Sequence, residues 1–228
     1  TASWAPVEAP EPANEVDLSA VDALADLPDD ARTELERGAT IHRLARDEEV
    51  MGFALAYVVD GELDVAAQIV DSPADRIGQG AVLKAKGTVA ESVPLRLVCA
   101  SEHAVLATWD AAQIEPAFKA CPWVEDDLRA AANRMQALVG VTLGPLADRL
   151  DASLRVQVTS KLELRELAEG EILFENGEAV RDLCLIGQGS IELVKDGSVV
   201  GEIGVGEFVF AAEIMGGGRA SATARAGK

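Results

Sequence analysis

The chain has 228 residues, with 39 acidic against 20 basic side chains and a formal net charge of -19 at pH 7. A sequence pI near 4.4 argues strongly against a nucleic-acid or anionic-membrane partner, since phosphates would be repelled rather than neutralised. A hydrophobic share of 49% suffices for a buried core, two histidines nearly remove His-based metal sites and triads, and three cysteines (Cys99, Cys121, Cys184) fit a reduced, cytoplasmic compartment better than a disulfide framework.

Residues 1–17 hold Pro6, Pro10 and Pro12 among Ala and Glu and read as a flexible leader, with Trp4 as its one docking-competent side chain. No basic n-region marks a signal peptide, and no apolar run approaches the roughly 20 residues that span a bilayer, so no membrane insertion is expected. From Leu18 to Gly38, Val21, Leu24, Leu27, Ala31 and Leu35 recur at helical spacing, with Pro28 opening a second turn after Leu27. The period then shortens. Ile41–Leu44, Phe53–Val59, Glu62–Val65, Leu95–Cys99 and Ala104–Trp109 read as strands, with Asp60-Gly61 as a turn. Helices are expected over Ala111–Ala120 and Val124–Val141, the second with a stripe of Val124, Leu128, Ala131, Met135 and Leu138. That stripe is expected to dock on a second copy or another protein.

The order then restarts. Leu146–Leu164 has a helical pattern, followed by strands at Glu171–Phe174, Leu183–Ile186, Ser190–Val194 and Val199–Ile203. Asp196-Gly197 is a hairpin signal, because both residues adopt the positive φ of a tight primed turn. The halves align, with Gly61 over Gly189 and the Gly78-Gln79-Gly80 corner over Gly204-Val205-Gly206, offsets of 128 and 126 residues. A repeat of that length is a whole domain. The expected organisation is the leader 1–17, a first domain over 18–141 and a second over 142–228.

Leu167–Val209 resembles the cyclic nucleotide-binding domain family, which includes the catabolite activator protein and the regulatory subunits of protein kinase A. The resemblance rests on Gly170 before a strand, Gly177-Glu178 in a loop, Gly189 between strands, and Gly204-x-Gly206-Glu207-Phe208. It implies a mainly β fold with flanking helices: two tandem β-rolls (jelly rolls), the second incomplete at its C-terminal end, where the family has further strands and a lid helix. It also implies a phosphate-binding cassette in which Phe-Gly-Glu opens a short helix, the Glu holds the ribose, and an Arg about nine residues on holds the cyclic phosphate. The corresponding segment, Phe208 to Thr223, departs from that pattern. Matching Phe210 puts Ala211 at the Gly and Ala212 at the Glu, while Glu213 and Arg219 lie six apart across Gly216–Gly218. Ala211, Ala212, Glu213, Arg219 and Ser221 are therefore the candidate ligand-binding residues of a degenerate cassette. In the first domain the segment from Gly80 to Arg96 has no Phe-Gly-Glu, and its alternating Lys84 and Lys86 read as a solvated strand edge.

Enzymatic alternatives are poorly supplied. His42 and His103 are too few for a metal cupin, no Gly-x-Ser-x-Gly or Walker loop is present, and Cys99 and Cys184 lie in apolar strands as small buried hydrophobes. The expectation is a non-enzymatic regulatory or scaffolding module with a protein partner or a second copy, requiring no cofactor. The alternative is a cyclic AMP or cyclic GMP sensor using the second domain.

Overall fold

The computed structural model describes residues 16–88, 92–145, 149, 154, 157–158 and 161–227. Trp4 and the rest of residues 1–15 lie outside these. Val16, assigned by composition to the leader, is buried with Leu18, Val21 and Leu24 in a hydrophobic cluster. The run from Leu18 to Gly38 is not one helix. A 3-10 turn over Asp22–Leu24 is followed by α1 (Asp29–Gly38), with Pro28 between them at φ -55 and ψ 147, an extended geometry outside the helix. Proline lacks the N–H that a continuous helix would need there.

Among the described residues, β1 (Thr40–Ala45), β2 (Glu49–Met51), β3 (Leu55–Asp60), β4 (Glu62–Ala67), β5 (Asp75–Gly78), β6 (Val82–Lys84), β7 (Leu95–Cys99) and β8 (His103–Trp109) follow. They form two antiparallel sheets, ordered β1-β8-β3-β6 and β2-β7-β4-β5. Val58, Leu63, Val65, Leu97, Cys99 and Leu106 come from both sheets and share one buried cluster, so the inner faces enclose the core. Period-two alternation sends Leu106 inward and Ala107 and Trp109 outward, where they join the helical cluster.

That outer layer holds α1, α2 (Ala111–Ala120) and the start of α3 (Pro122–Val141). Asp110 and Gln113 form a reciprocal capping box at the start of α2. Trp109 Nε1 donates to Leu35 O at 2.7 Å and Gln113 Nε2 donates to Gly38 O at 2.7 Å, satisfying carbonyls at the end of α1. The expected docking stripe of α3 is spent inside the chain. Val124 and Leu128 pack into the helical cluster and Met135 into the core of the roll, with Val139 beside it, while Ala131 is exposed. Apolar periodicity marks a face to be covered; here the chain's own sheets and helices cover it.

The helix expected over Leu146–Leu164 falls mostly on residues outside those described, and residues 161–164 are not helical. Then come β9 (Ile172–Phe174), β10 (Cys184–Leu185), β11 (Ile191–Lys195), β12 (Ser198–Ile203), β13 (Phe208–Val209), α4 (Ala211–Met215) and β14 (Thr223–Ala226). The sheet β12-β11-β14-β9 has the strand order that β5-β4-β7-β2 has in the first roll, and β10-β13 pairs as β3-β6 does. Asp196 and Gly197 sit at φ 51 and 79, as their hairpin signal requires. Phe174, Val180, Ile186, Ile191, Val209 and Phe210 form the core here. Cys184, expected to be buried, is only half-buried because β10 has two residues and little cover.

The C-terminal end of α3 meets this second unit backbone to backbone. A methyl group on Gly187 would lie 2.6 Å from Ala137 Cα, and one on Gly206 2.6 Å from Gly144 N. Glycine is needed here for close approach rather than for a turn alone.

Candidate functional site

The segment after β13 has the layout the resemblance implies, a corner, one short helix and a return strand. The corner is Phe210, whose backbone is left-handed at φ 52. For a residue with a side chain this conformation costs roughly 1–2 kcal/mol. Burial of the ring offsets it: Phe210 is 5% exposed, and its ring lies 6.0 Å from that of Phe174 in a tilted pair. Ala211 and Ala212 open α4, at the positions where the family pattern has Gly and Glu, and offer no polar side chain.

Gly217, at φ 64, turns the chain after α4, and Gly218 N donates to Glu213 O at 2.7 Å. The glycine loop thus brings the backbone of Gly218 back to Glu213 but sends the next side chain elsewhere. Arg219 donates a guanidinium hydrogen to Gly177 O at 2.8 Å, and its backbone bridges to Ala179. Next to that bridge, Gly177 N donates to Ala220 O and Ala220 N donates to Glu178 O, both at 2.8 Å. Ser221 Oγ donates to Glu213 Oε1 at 2.8 Å. Of the sequence candidates, then, Glu213 and Ser221 are brought together, Arg219 is carried onto the Gly177-Glu178 loop, and Ala211 and Ala212 supply backbone alone.

In the first roll the loop between β6 and β7 has no comparable helix among its described residues. Two side chains of α3 hold it. Gln136, which is fully buried, donates through Nε2 to Ala85 O at 2.6 Å and to Val93 O at 3.0 Å, and accepts from Val93 N at 2.9 Å. Asn133 Oδ1 accepts from Thr88 N at 2.8 Å, and Nδ2 donates to Glu166 Oε1 at 3.0 Å, which reaches the segment preceding β9. Met135 and Val139, on the same helix, fill the inner core of the roll. Sequence reading missed Asn133 and Gln136, which look like polar interruptions beside an apolar stripe. Their signal is that they follow Ala132 and Met135 directly and sit three apart, on one face.

Lys84 is not the solvated edge residue that its alternation with Lys86 suggests. Its side chain is 11% exposed, its ammonium lies 3.6 Å from Glu125 Oε1, and it donates to Lys86 O at 3.2 Å. β6 is an edge strand, but α3 lies over it and Glu125 reaches down to pair with it.

The groups weighed for catalysis are otherwise occupied. His42 Nε2 lies 2.8 Å from Thr108 Oγ1, and burial lowers its pKa from the usual imidazole value. His103 is exposed. Cys99 and Cys121 are buried, and Cys121 Sγ donates to Asp26 O. Burial, together with Asp182, pushes the Cys184 thiol up, against a smaller opposing pull from Arg165, which disfavours the thiolate. Among the described residues no cluster of three or more His, Cys, Asp or Glu could hold a metal ion, and no helix is long and apolar enough to cross a membrane.

The family model for the cyclic nucleotide-binding domain matches residues 164–228. No curated protein matches the chain. Among solved structures it is similar to the regulatory domain of Toxoplasma gondii protein kinase A crystallised with cAMP, at 14% identity and a TM-score of 0.36, covering 90% of this chain and 81% of that one. It is also similar to the regulatory subunit of a cAMP-independent protein kinase A from Trypanosoma brucei, at 16% identity and a TM-score of 0.37, covering 90% and 74%. A third is the N-terminal domain of a transcriptional regulator from Streptomyces coelicolor A3(2), at 19% identity and a TM-score of 0.36, covering 53% of this chain and 94% of that one.

Proposed function

We propose, because the cyclic nucleotide-binding domain model matches residues 164–228, that the chain is a non-enzymatic regulatory or scaffolding module of two tandem rolls whose cassettes are satisfied by their own residues. The tandem reading draws on the shared strand order of β12-β11-β14-β9 and β5-β4-β7-β2. It also draws on the aligned corners, since Gly61, Gly189, Gly80 and Gly206 all take positive φ.

The observation that carries the proposal is the engagement of Arg219 with Gly177 O and of Glu213 with Ser221. A guanidinium and a carboxylate poised for a cyclic phosphate and a ribose would face a common space. Here the two project to different partners, with alanines where the recognising Gly and Glu belong. In the first roll the loop is knitted to α3 by buried amides, and apolar side chains of the same helix fill the interior.

The working surface is then for protein. Ile172, Leu183, Val199, Val200 and Met215 are large apolar side chains exposed on the second roll. A net charge of -19 favours a basic partner surface. Calorimetric titration with cyclic AMP and cyclic GMP is expected to give no saturable heat, while sedimentation shows association with a second copy or a partner.

The second reading, a cyclic-nucleotide sensor in the second roll, draws on the exposure of Arg219 at the end of the cassette, which leaves its guanidinium free to exchange Gly177 O for a phosphate. Saturable binding at micromolar concentration that disappears in Arg219→Ala would establish it in place of the first.

A further inference from the structure

We infer that Asn176 is a site of self-modification: it loses its side-chain amide to water, through a cyclic imide closed by the backbone nitrogen of Gly177, at a rate set by the contact between the cassette and its loop. Asn176 is the one asparagine in the sequence that a glycine follows. Both residues are exposed, so water reaches the amide, and glycine brings no side chain to crowd its own nitrogen. Asn133, by contrast, is buried, has its amide bonded to Thr88 and Glu166, and precedes Arg134. In the reaction Gly177 N attacks Asn176 Cγ, the bond from Cγ to the side-chain nitrogen breaks, and ammonia leaves with the backbone amide proton. Water then opens the imide at either carbonyl. The products are aspartate and, where the chain is rerouted through Cγ, isoaspartate.

The fold restrains the first step. Glu178 N donates to Glu175 O at 3.0 Å around Gly177 at φ 81, a type II turn with Asn176 at its second position. Glu175 N donates to Glu178 Oε2 at 2.9 Å and closes the same turn again. The attacking nitrogen is itself in use, since Gly177 N donates to Ala220 O at 2.8 Å while Gly177 O accepts from the Arg219 guanidinium at 2.8 Å. Imide closure needs that N–H released, so the end of the cassette holds the nucleophile. The consequence runs back along the same contacts. Isoaspartate lengthens the backbone between residues 176 and 177, so Gly177 no longer meets Arg219 and Ala220 in register. Arg219 is then freed beside a new carboxylate, and the loop acts as a one-way release for the residue that closes the cassette.

The test is incubation of the full chain in mildly alkaline buffer, with and without denaturing urea, followed by peptide mapping by mass spectrometry. Acid at position 176 is expected to accumulate in the folded chain about tenfold to a hundredfold more slowly than in urea, since local opening precedes attack. Arg219→Ala, at an exposed side chain, is expected to speed the folded reaction roughly threefold to tenfold. Hydrogen exchange at Gly177 N reads the same gate without a substitution, and is expected to rise in parallel with conversion as sub-denaturing urea is added. Exchange protection of Ala220 N is expected to be lost in the converted chain and kept in Asn176→Ser treated alike. An amide intact in the folded chain after about a hundred half-lives of the unfolded reaction would overturn the site. Equal rates in wild type and Arg219→Ala, or conversion indifferent to Gly177 exchange, would overturn the gate. An Ala220 amide still protected after conversion would overturn the release.

Discussion

Gln136 and Val93 are joined by two hydrogen bonds running in opposite directions: Val93 N donates to Gln136 Oε1 at 2.9 Å, and Gln136 Nε2 donates to Val93 O at 3.0 Å. A side-chain amide thereby does what a neighbouring strand would do, in a place where the described residues have none. The same Nε2 reaches Ala85 O at 2.6 Å, so one helix residue holds both ends of the loop that in the second roll carries a helix.

Removing that amide leaves the half-buried backbone groups of Ala85 and Val93 unpaired. Gln136→Leu keeps the volume and is expected to destabilise the chain by about 2–4 kcal/mol in urea unfolding, since each orphaned buried group costs about 1–3 kcal/mol. A loss below about 0.5 kcal/mol would mean that water or a rearranged loop replaces the amide without difficulty.

Gly140 faces the carbonyl of Gly187 at the seam between α3 and the second unit. A methyl group there cannot be accommodated without movement of backbone. Gly140→Ala, although better for helix propensity, is expected to lower stability by about 1–3 kcal/mol, a shift of a few degrees in melting temperature. Ala131→Ser, on the exposed side of the same helix, is expected to change little. Equal behaviour of the two variants would show that the seam is loose.

Burial lowers the pKa of His42. The unfolded chain therefore binds its proton more readily than the folded one, so this residue contributes stability above its unfolded pKa near about 6.5 that is lost as pH falls through the lower folded value. In paired pH–stability profiles, wild type is expected to lose more stability than His42→Gln below about pH 6.5. Parallel profiles would show that the imidazole is solvated when the protein is folded.

The periodic elements were legible from residue type alone, as the bounds of α2 show. So were the corners: Asp196-Gly197 and, of the aligned glycines, Gly61, Gly80, Gly189 and Gly206 take the positive φ that their chemistry allows. β2 and β6 were not: a charged residue in each leaves no apolar run, whereas the equally short β9 is apolar throughout. Periodicity found the buried face of α3 but could not say what covers it, and it treated Asn133 and Gln136 as noise because their partners are backbone groups more than forty residues away. The direction of Arg219 was hidden for the same reason. Its partner, Gly177, is 42 residues earlier, and the turn at Gly217 decides where the guanidinium goes.

Backbone amide NMR of Gly216 to Ser221 during addition of cyclic AMP interrogates the cassette at the residues that would hold the phosphate. With Arg219 committed to Gly177 and Glu213 to Ser221, these resonances are expected to stay in place at millimolar nucleotide. Shifts that saturate, and that vanish in Arg219→Ala, would contradict a self-satisfied cassette and make the second roll a nucleotide receptor.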